Sequence, residues 1–78
     1  MHENEIRTAI TNYLLGTGKN FAADTDLFEA NVIDSMGVLE LVAFIDNQLH
    51  ISLEQGDLVI ENFRSVDDIV RTLCRIGK

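Results

Sequence analysis

The stretch Asp26-Leu27-Phe28-Glu29-Ala30-Asn31-Val32-Ile33-Asp34-Ser35-Met36-Gly37-Val38-Leu39-Glu40-Leu41-Val42 decides how this chain folds. Its first half shows no sustained period, whereas its second half does. Advancing 100° per residue from Met36 places Val38, Leu41, Val42, Ile45 and Leu49 on one side of a helix, and Met36, Leu39, Glu40, Ala43 and Asn47 on the other. The spacing predicts a helix from Met36 to about Leu49, the strongest in the chain. Asp34 stands where an N-cap belongs: its carboxylate can accept a first-turn N–H and is favoured at the positive end of the helix dipole. The Leu41 side is expected to be core. The other side is unusual for an outer face, because Met36, Leu39 and Ala43 lie beside Glu40, and an apolar patch with a charged neighbour reads as a docking surface.

Upstream, Ile6, Ala9, Ile10, Tyr13 and Leu14 recur at spacings of three and four and predict a first helix, ended by Gly16 and Gly18. Between Thr17 and Ile33 the chain has turn chemistry at Asp24-Thr25-Asp26 and apolar anchors at Leu27, Phe28, Val32 and Ile33, which together predict a long, packed loop. Loops of that length in small domains usually carry function, and this one delivers Asp34-Ser35. Downstream, Asp57 to Asn62 is expected to form a short turn of helix carrying Leu58, Val59 and Ile60. Ser65-Val66-Asp67-Asp68 has the form of a capping box, with Asp reaching back less well than Glu. Val66, Ile69, Val70, Leu73 and Ile76 then mark a last helix, with Arg71, Arg75 and Lys78 near its negative end. The expected fold is all-α: three main helices, a short third one between them, a long first loop and no strand.

A chain of 78 residues allows one domain, residues 1–78, and its 46 % hydrophobic content is enough to bury a core of aliphatic side chains. The sole cysteine, Cys74, has no partner for an internal disulfide and is expected to be a half-buried helix residue rather than a reactive thiol. Met1-His2-Glu3-Asn4-Glu5 carries acids where a signal peptide carries Lys or Arg, and no apolar run approaches the roughly 18 residues that span a bilayer. A cytoplasmic monomer is the expectation, neither exported nor membrane-embedded.

The net charge is −7. From Asn20 to Phe63 there are nine acids and no Lys or Arg, so all six bases lie outside that window. An even spread for solubility would mix the signs. The segregation makes the region around Ser35 anionic, which argues against nucleic acid and for partners with basic docking surfaces that meet Met36, Leu39, Glu40 and Ala43.

Catalysis and metal binding find little support. A nucleophilic serine needs a base within hydrogen-bond reach, and His50 lies at the far end of the Ser35 helix, about 22 Å away at 1.5 Å per residue. His2 sits near the chain start. Cys74, His2 and His50 lack metal-ligand spacing, and Asp24, Asp26 and Glu29 lack the EF-hand pattern. No catalytic residue and no metal are expected.

The stretch from Asp26 to Val42 resembles the region around the prosthetic-group serine of acyl and peptidyl carrier proteins. The resemblance extends over nearly the whole chain, through length, acidity, long first loop, Asp-Ser-apolar helix start, short third helix and final helix. It implies a four-helix bundle of acyl-carrier type that is not an enzyme. It implies that a phosphopantetheinyl transferase attaches 4′-phosphopantetheine from coenzyme A to Ser35, beside the Asp34 cap. The arm's thiol would then carry acyl or aminoacyl groups as thioesters between a loading ligase and downstream enzymes.

The departures point within the family. Val32 replaces the glycine two residues before the Asp in many fatty-acid carriers. Asn31-Val32-Ile33-Asp34-Ser35 is closer to the Gly-apolar-apolar-Asp-Ser of free-standing D-alanyl, aminoacyl and specialised polyketide carriers, with Asn31 in the glycine's place because Asn tolerates positive φ. A specialised nonribosomal-peptide or polyketide carrier is the expectation. A fatty-acid carrier and, from another class, an unmodified acidic interaction module are the alternatives.

Overall fold

Ile6, Ile10 and Leu14 sit one turn apart, and all three are buried, so they form the inner edge of the first helix, α1 (Glu3–Leu15). The computed structural model describes residues 2–76. Glu3 and Glu5 occupy the first turn of α1, where acids suit the helix dipole. The helix stops at Gly16, and the left-handed residue that turns the chain away is Gly18, at φ 79°.

The second helix, α2, runs Ser35–Phe44 and buries Leu41 completely. The periodicity predicts a regular helix onward to Leu49, and here the structure corrects it. The chain widens into a π-helical turn over Ile45–Leu49, closed by His50 in the left-handed conformation at φ 57°. This wider turn holds Ile45, Leu49 and Ile51 all against the core, with the Ile51 amide directed at the Ile45 carbonyl at 3.5 Å.

The single helical turn expected over Asp57–Asn62 is likewise corrected: it splits in two, a 3₁₀ turn at Gln55–Asp57 and a four-residue helix α3 at Ile60–Phe63. The cause is local hydrogen bonding. Asp57 Oδ2 accepts the Glu54 amide at 3.1 Å and closes the first turn, while Asn62 Nδ2 donates to the Asp57 carbonyl at 2.8 Å and closes the second.

Helix α4 (Val66–Ile76) starts as expected at Ser65. Ser65 Oγ accepts the Asp68 amide at 3.1 Å and donates to Asp68 Oδ2 at 2.9 Å. The Asp side chain, one carbon shorter than Glu, takes the hydroxyl proton of Ser65 in place of its backbone N–H. Lys78, expected near the negative end of this helix, lies outside the described residues.

Helix α4 packs against α1 and α3, and Arg7 Nη1 reaches Asp67 Oδ1 at 2.7 Å across the α1–α4 seam. Ile69, Val70 and Leu73 of α4 meet Ile6, Ile10 and Leu14 of α1 in one core cluster with Leu41, Ile45 and Phe63. Each such buried side chain contributes about 1.5–3 kcal/mol, the term that holds together a chain with no disulfide. The long loop shares the same core through Leu27, Val32 and Ile33. Its backbone is tied to the α3–α4 junction by Leu27 N–H to the Arg64 carbonyl (2.6 Å) and by Asp67 N–H to the Ala23 carbonyl (3.0 Å). The fold is an all-helical bundle, with no strand among the described residues.

Candidate functional site

The site is built by the last turn of the loop. Residues 27–31 form a hydrogen-bonded turn that ends with Asn31 at φ 57°. Asn31 N–H donates to the Phe28 carbonyl at 3.1 Å and Val32 N–H to the Leu27 carbonyl at 2.8 Å, the paired bonds of a Schellman ending. Asn31 thus adopts the glycine-like backbone that its place in the sequence predicts. The reversed chain pushes Val32 and Ile33 into the core and leaves Asp34 extended at φ −137° and ψ −170°.

Asp34 Oδ1 accepts the Gly37 amide at 2.8 Å, so Asp34 is the N-cap of α2 as expected. The Asp34 carbonyl takes the Val38 amide at 2.9 Å. The Ser35 and Met36 amides have no intrahelical partner, as at any helix start. Ser35 is exposed, the first residue of the helix, and α2 has no acid of its own in its first turn. The result is a free hydroxyl at the electropositive end of a capped helix, which suits a covalently attached phosphate.

The outer face of α2 carries the expected set. Met36 is 66 % and Leu39 59 % exposed, and Glu40 and Ala43 are exposed beside them, while Leu41, Ile45 and Leu49 are buried. Next to this face lies a groove of about 290 Å³ lined by Phe28, Ser35, Val38, Leu39, Leu58, Val59, Ile60 and Phe63. Ser35 is its sole hydroxyl-bearing residue. Sequence reasoning missed this groove, because Leu58-Val59-Ile60 reads as a turn of helix with no stated role. The available signal was three consecutive apolar residues outside any helical period, and the structure leaves all three at least 37 % exposed.

Within the acidic window, Asp26 approaches Arg64 at 3.9 Å and Asp57 approaches Arg75 at 3.6 Å. Among the described residues, none of Asp24, Glu29, Asp34, Glu40, Asp46, Glu54 and Glu61 has a cation within 4.0 Å. Among the described residues, the acids around α2 are therefore largely uncompensated by cations. Glu40 also acts inward on Tyr13, whose ring packs against Phe44 at a centroid separation of 4.5 Å, the two planes tilted by 36°. Burial raises the Tyr13 hydroxyl above its ordinary pKa, and the Glu40 carboxylate pushes in the same direction.

Cys74 is half-buried on α4 in a polar groove with Arg7, Asp67 and Arg71. Among the described residues no group of three His, Cys, Asp or Glu side chains could hold a metal ion. No described helix is long and apolar enough to cross a membrane.

No protein-family model matches the chain. Individual proteins do. Over 66 residues it is 29 % identical to the probable acyl carrier protein PigG of a Serratia species, covering 85 % of this chain and 76 % of that one. It is 30 % identical over 53 residues to the D-alanyl carrier protein of Streptococcus sanguinis, covering 68 % and 67 %. It is 36 % identical over 47 residues to the D-alanyl carrier protein of Streptococcus uberis, spanning 60 % of each. A helical bundle that presents a capped Asp-Ser helix start, in a chain with these relatives, belongs to the acyl and D-alanyl carrier protein family.

Proposed function

We propose that Ser35 is the attachment point of this carrier protein's arm, and that the chain shuttles cargo in a specialised pathway of nonribosomal-peptide or polyketide type. Carrier proteins of this family are not catalysts, and they hold cargo as a thioester on a covalent 4′-phosphopantetheine. The observation that carries the assignment is the exposed Ser35 hydroxyl at the first position of α2, behind the Asp34 cap. The helix start favours the added negative charge of a phosphodiester.

A phosphopantetheinyl transferase is the first partner, and coenzyme A supplies the arm. Met36, Leu39, Glu40 and Ala43 form the surface that this enzyme, the loading ligase and later enzymes touch, with Glu40 and the neighbouring acids steering their basic surfaces. The groove beside Ser35 gives the arm an apolar wall. The specialised assignment rests on Asn31-Val32-Ile33-Asp34-Ser35 and on relatives that include D-alanyl carriers.

Intact-mass spectrometry after incubation with coenzyme A and a promiscuous phosphopantetheinyl transferase tests the reading. A carrier gains the mass of one phosphopantetheine. An unmodified interaction module gains nothing, and that result would sink the proposal.

A further inference from the structure

We propose that Asn31 is a positioning residue for modification of Ser35, acting through its left-handed backbone and not through its amide. The inference rests on the assignment of Ser35 as the attachment point. Three observations carry it. The turn before Asn31 is fixed: Leu27 is completely buried, its N–H is bound to the Arg64 carbonyl at 2.6 Å, and its carbonyl accepts both Val32 N–H at 2.8 Å and Ile33 N–H at 3.2 Å. The residues just after Asn31 are fixed as well, since Val32 and Ile33 are buried in the core at 6 % and 7 % exposure. Asn31 itself is the exposed joint between these two anchored segments, at φ 57°.

A side chain that disfavours positive φ therefore strains a joint that is held on both sides. The strain is passed on to the first exposed residues after the buried pair, Asp34 and Ser35, which no core packing holds and which two bonds at the helix start secure, Gly37 N–H to Asp34 Oδ1 and Val38 N–H to the Asp34 carbonyl. A hydroxyl shifted by a fraction of an ångström reacts more slowly in a partner's site even when the partner still docks on α2. Glycine at position 31 adopts the same backbone without strain, so it should preserve the geometry although it removes the amide.

The test compares wild type with Asn31→Gly, Asn31→Ala and Asn31→Val, each well below its melting temperature. The probe is coenzyme A with a promiscuous phosphopantetheinyl transferase. The kcat and KM for the carrier are read alongside hydrogen exchange of the Gly37 amide. Asn31→Gly should match wild type in both. Asn31→Ala and Asn31→Val should lose about tenfold in kcat at unchanged KM and exchange the Gly37 amide faster. If Asn31→Val does not fold, Asn31→Ala decides. Wild-type kcat in Asn31→Ala would overturn the inference, and so would a KM increase in Asn31→Gly, which would make the amide a docking contact. In both cases the Ser35 assignment stands. A wild-type chain that takes up no phosphopantetheine overturns that assignment, and this inference with it.

Discussion

The Asp34 carboxylate holds the Gly37 amide at 2.8 Å, and a Cβ built on Gly37 would lie 3.4 Å from both Asp34 Oδ1 and Ile33 Cβ. The cap and the glycine thus have opposite effects on one helical turn. Asp34→Ala should cost about 0.5–2 kcal/mol, the usual loss on removing an N-cap. Gly37→Ala should gain up to about 1 kcal/mol, because the new methyl meets its neighbours at ordinary contact distance and the helix loses its most flexible residue. Denaturant titration of both variants checks the pair of signs.

The two faces of α2 and its π-helical continuation should respond oppositely to substitution. Ile45 is fully buried, so Ile45→Ala should cost about 2–5 kcal/mol. That is a large fraction of the roughly 5–15 kcal/mol that stabilises a domain. Met36→Asp and Ala43→Asp change exposed positions and should leave the melting temperature nearly unchanged while slowing transfer by partner enzymes. Unfolding by Met36→Asp with tolerance of Ile45→Ala would invert the assignment of the faces.

Tyr13 is the chain's only tyrosine, so an ultraviolet absorbance titration reads it alone. Its midpoint should lie above the ordinary value because of burial and Glu40, and Glu40→Gln should bring it down. The folded state holds this proton to higher pH than the unfolded chain does. The resulting contribution to stability is present below the unfolded pKa of about 10 and is lost as pH rises through the folded value. Tyr13→Phe should remove that alkaline loss.

Charge reversal at Glu40 should slow modification of Ser35 through weaker association. The wild-type rate should fall between about 0.05 and 0.5 M salt, as screening shortens the Debye length to a few ångströms. Glu40→Lys should be less sensitive to salt. Asp67, also acidic and on another helix, is unsuitable as a control because its carboxylate binds Arg7 at 2.7 Å. Glu5→Lys, exposed on α1, makes the same change in net charge, and equal slowing by both would show that global charge alone matters.

What could be read from the sequence was local. Asp34 as cap, Asn31 at positive φ, Ser65 at the start of α4 and the two faces of α2 each depend on chemistry or period within a few residues. The π-helical turn at Ile45–Leu49 coincides with Ile45, Leu49 and Ile51 all lying on a core assembled from every helix, a tertiary arrangement that no local periodicity contains. The groove beside Ser35 joins Phe28 of the loop to Val38 of α2 and to Leu58-Val59-Ile60, three segments brought together only by folding. The Arg7–Asp67 pair spans 60 residues and was out of reach for the same reason.

The central claim is that one hydroxyl carries the arm. After modification with coenzyme A and a promiscuous transferase, proteolysis and fragmentation mass spectrometry locate the phosphopantetheine on a single residue. The account predicts that it is found on Ser35, and that Ser35→Ala folds as the wild type does and gains no mass. A group on Ser52 or Ser65, or any modification of the Ser35→Ala chain, would contradict it.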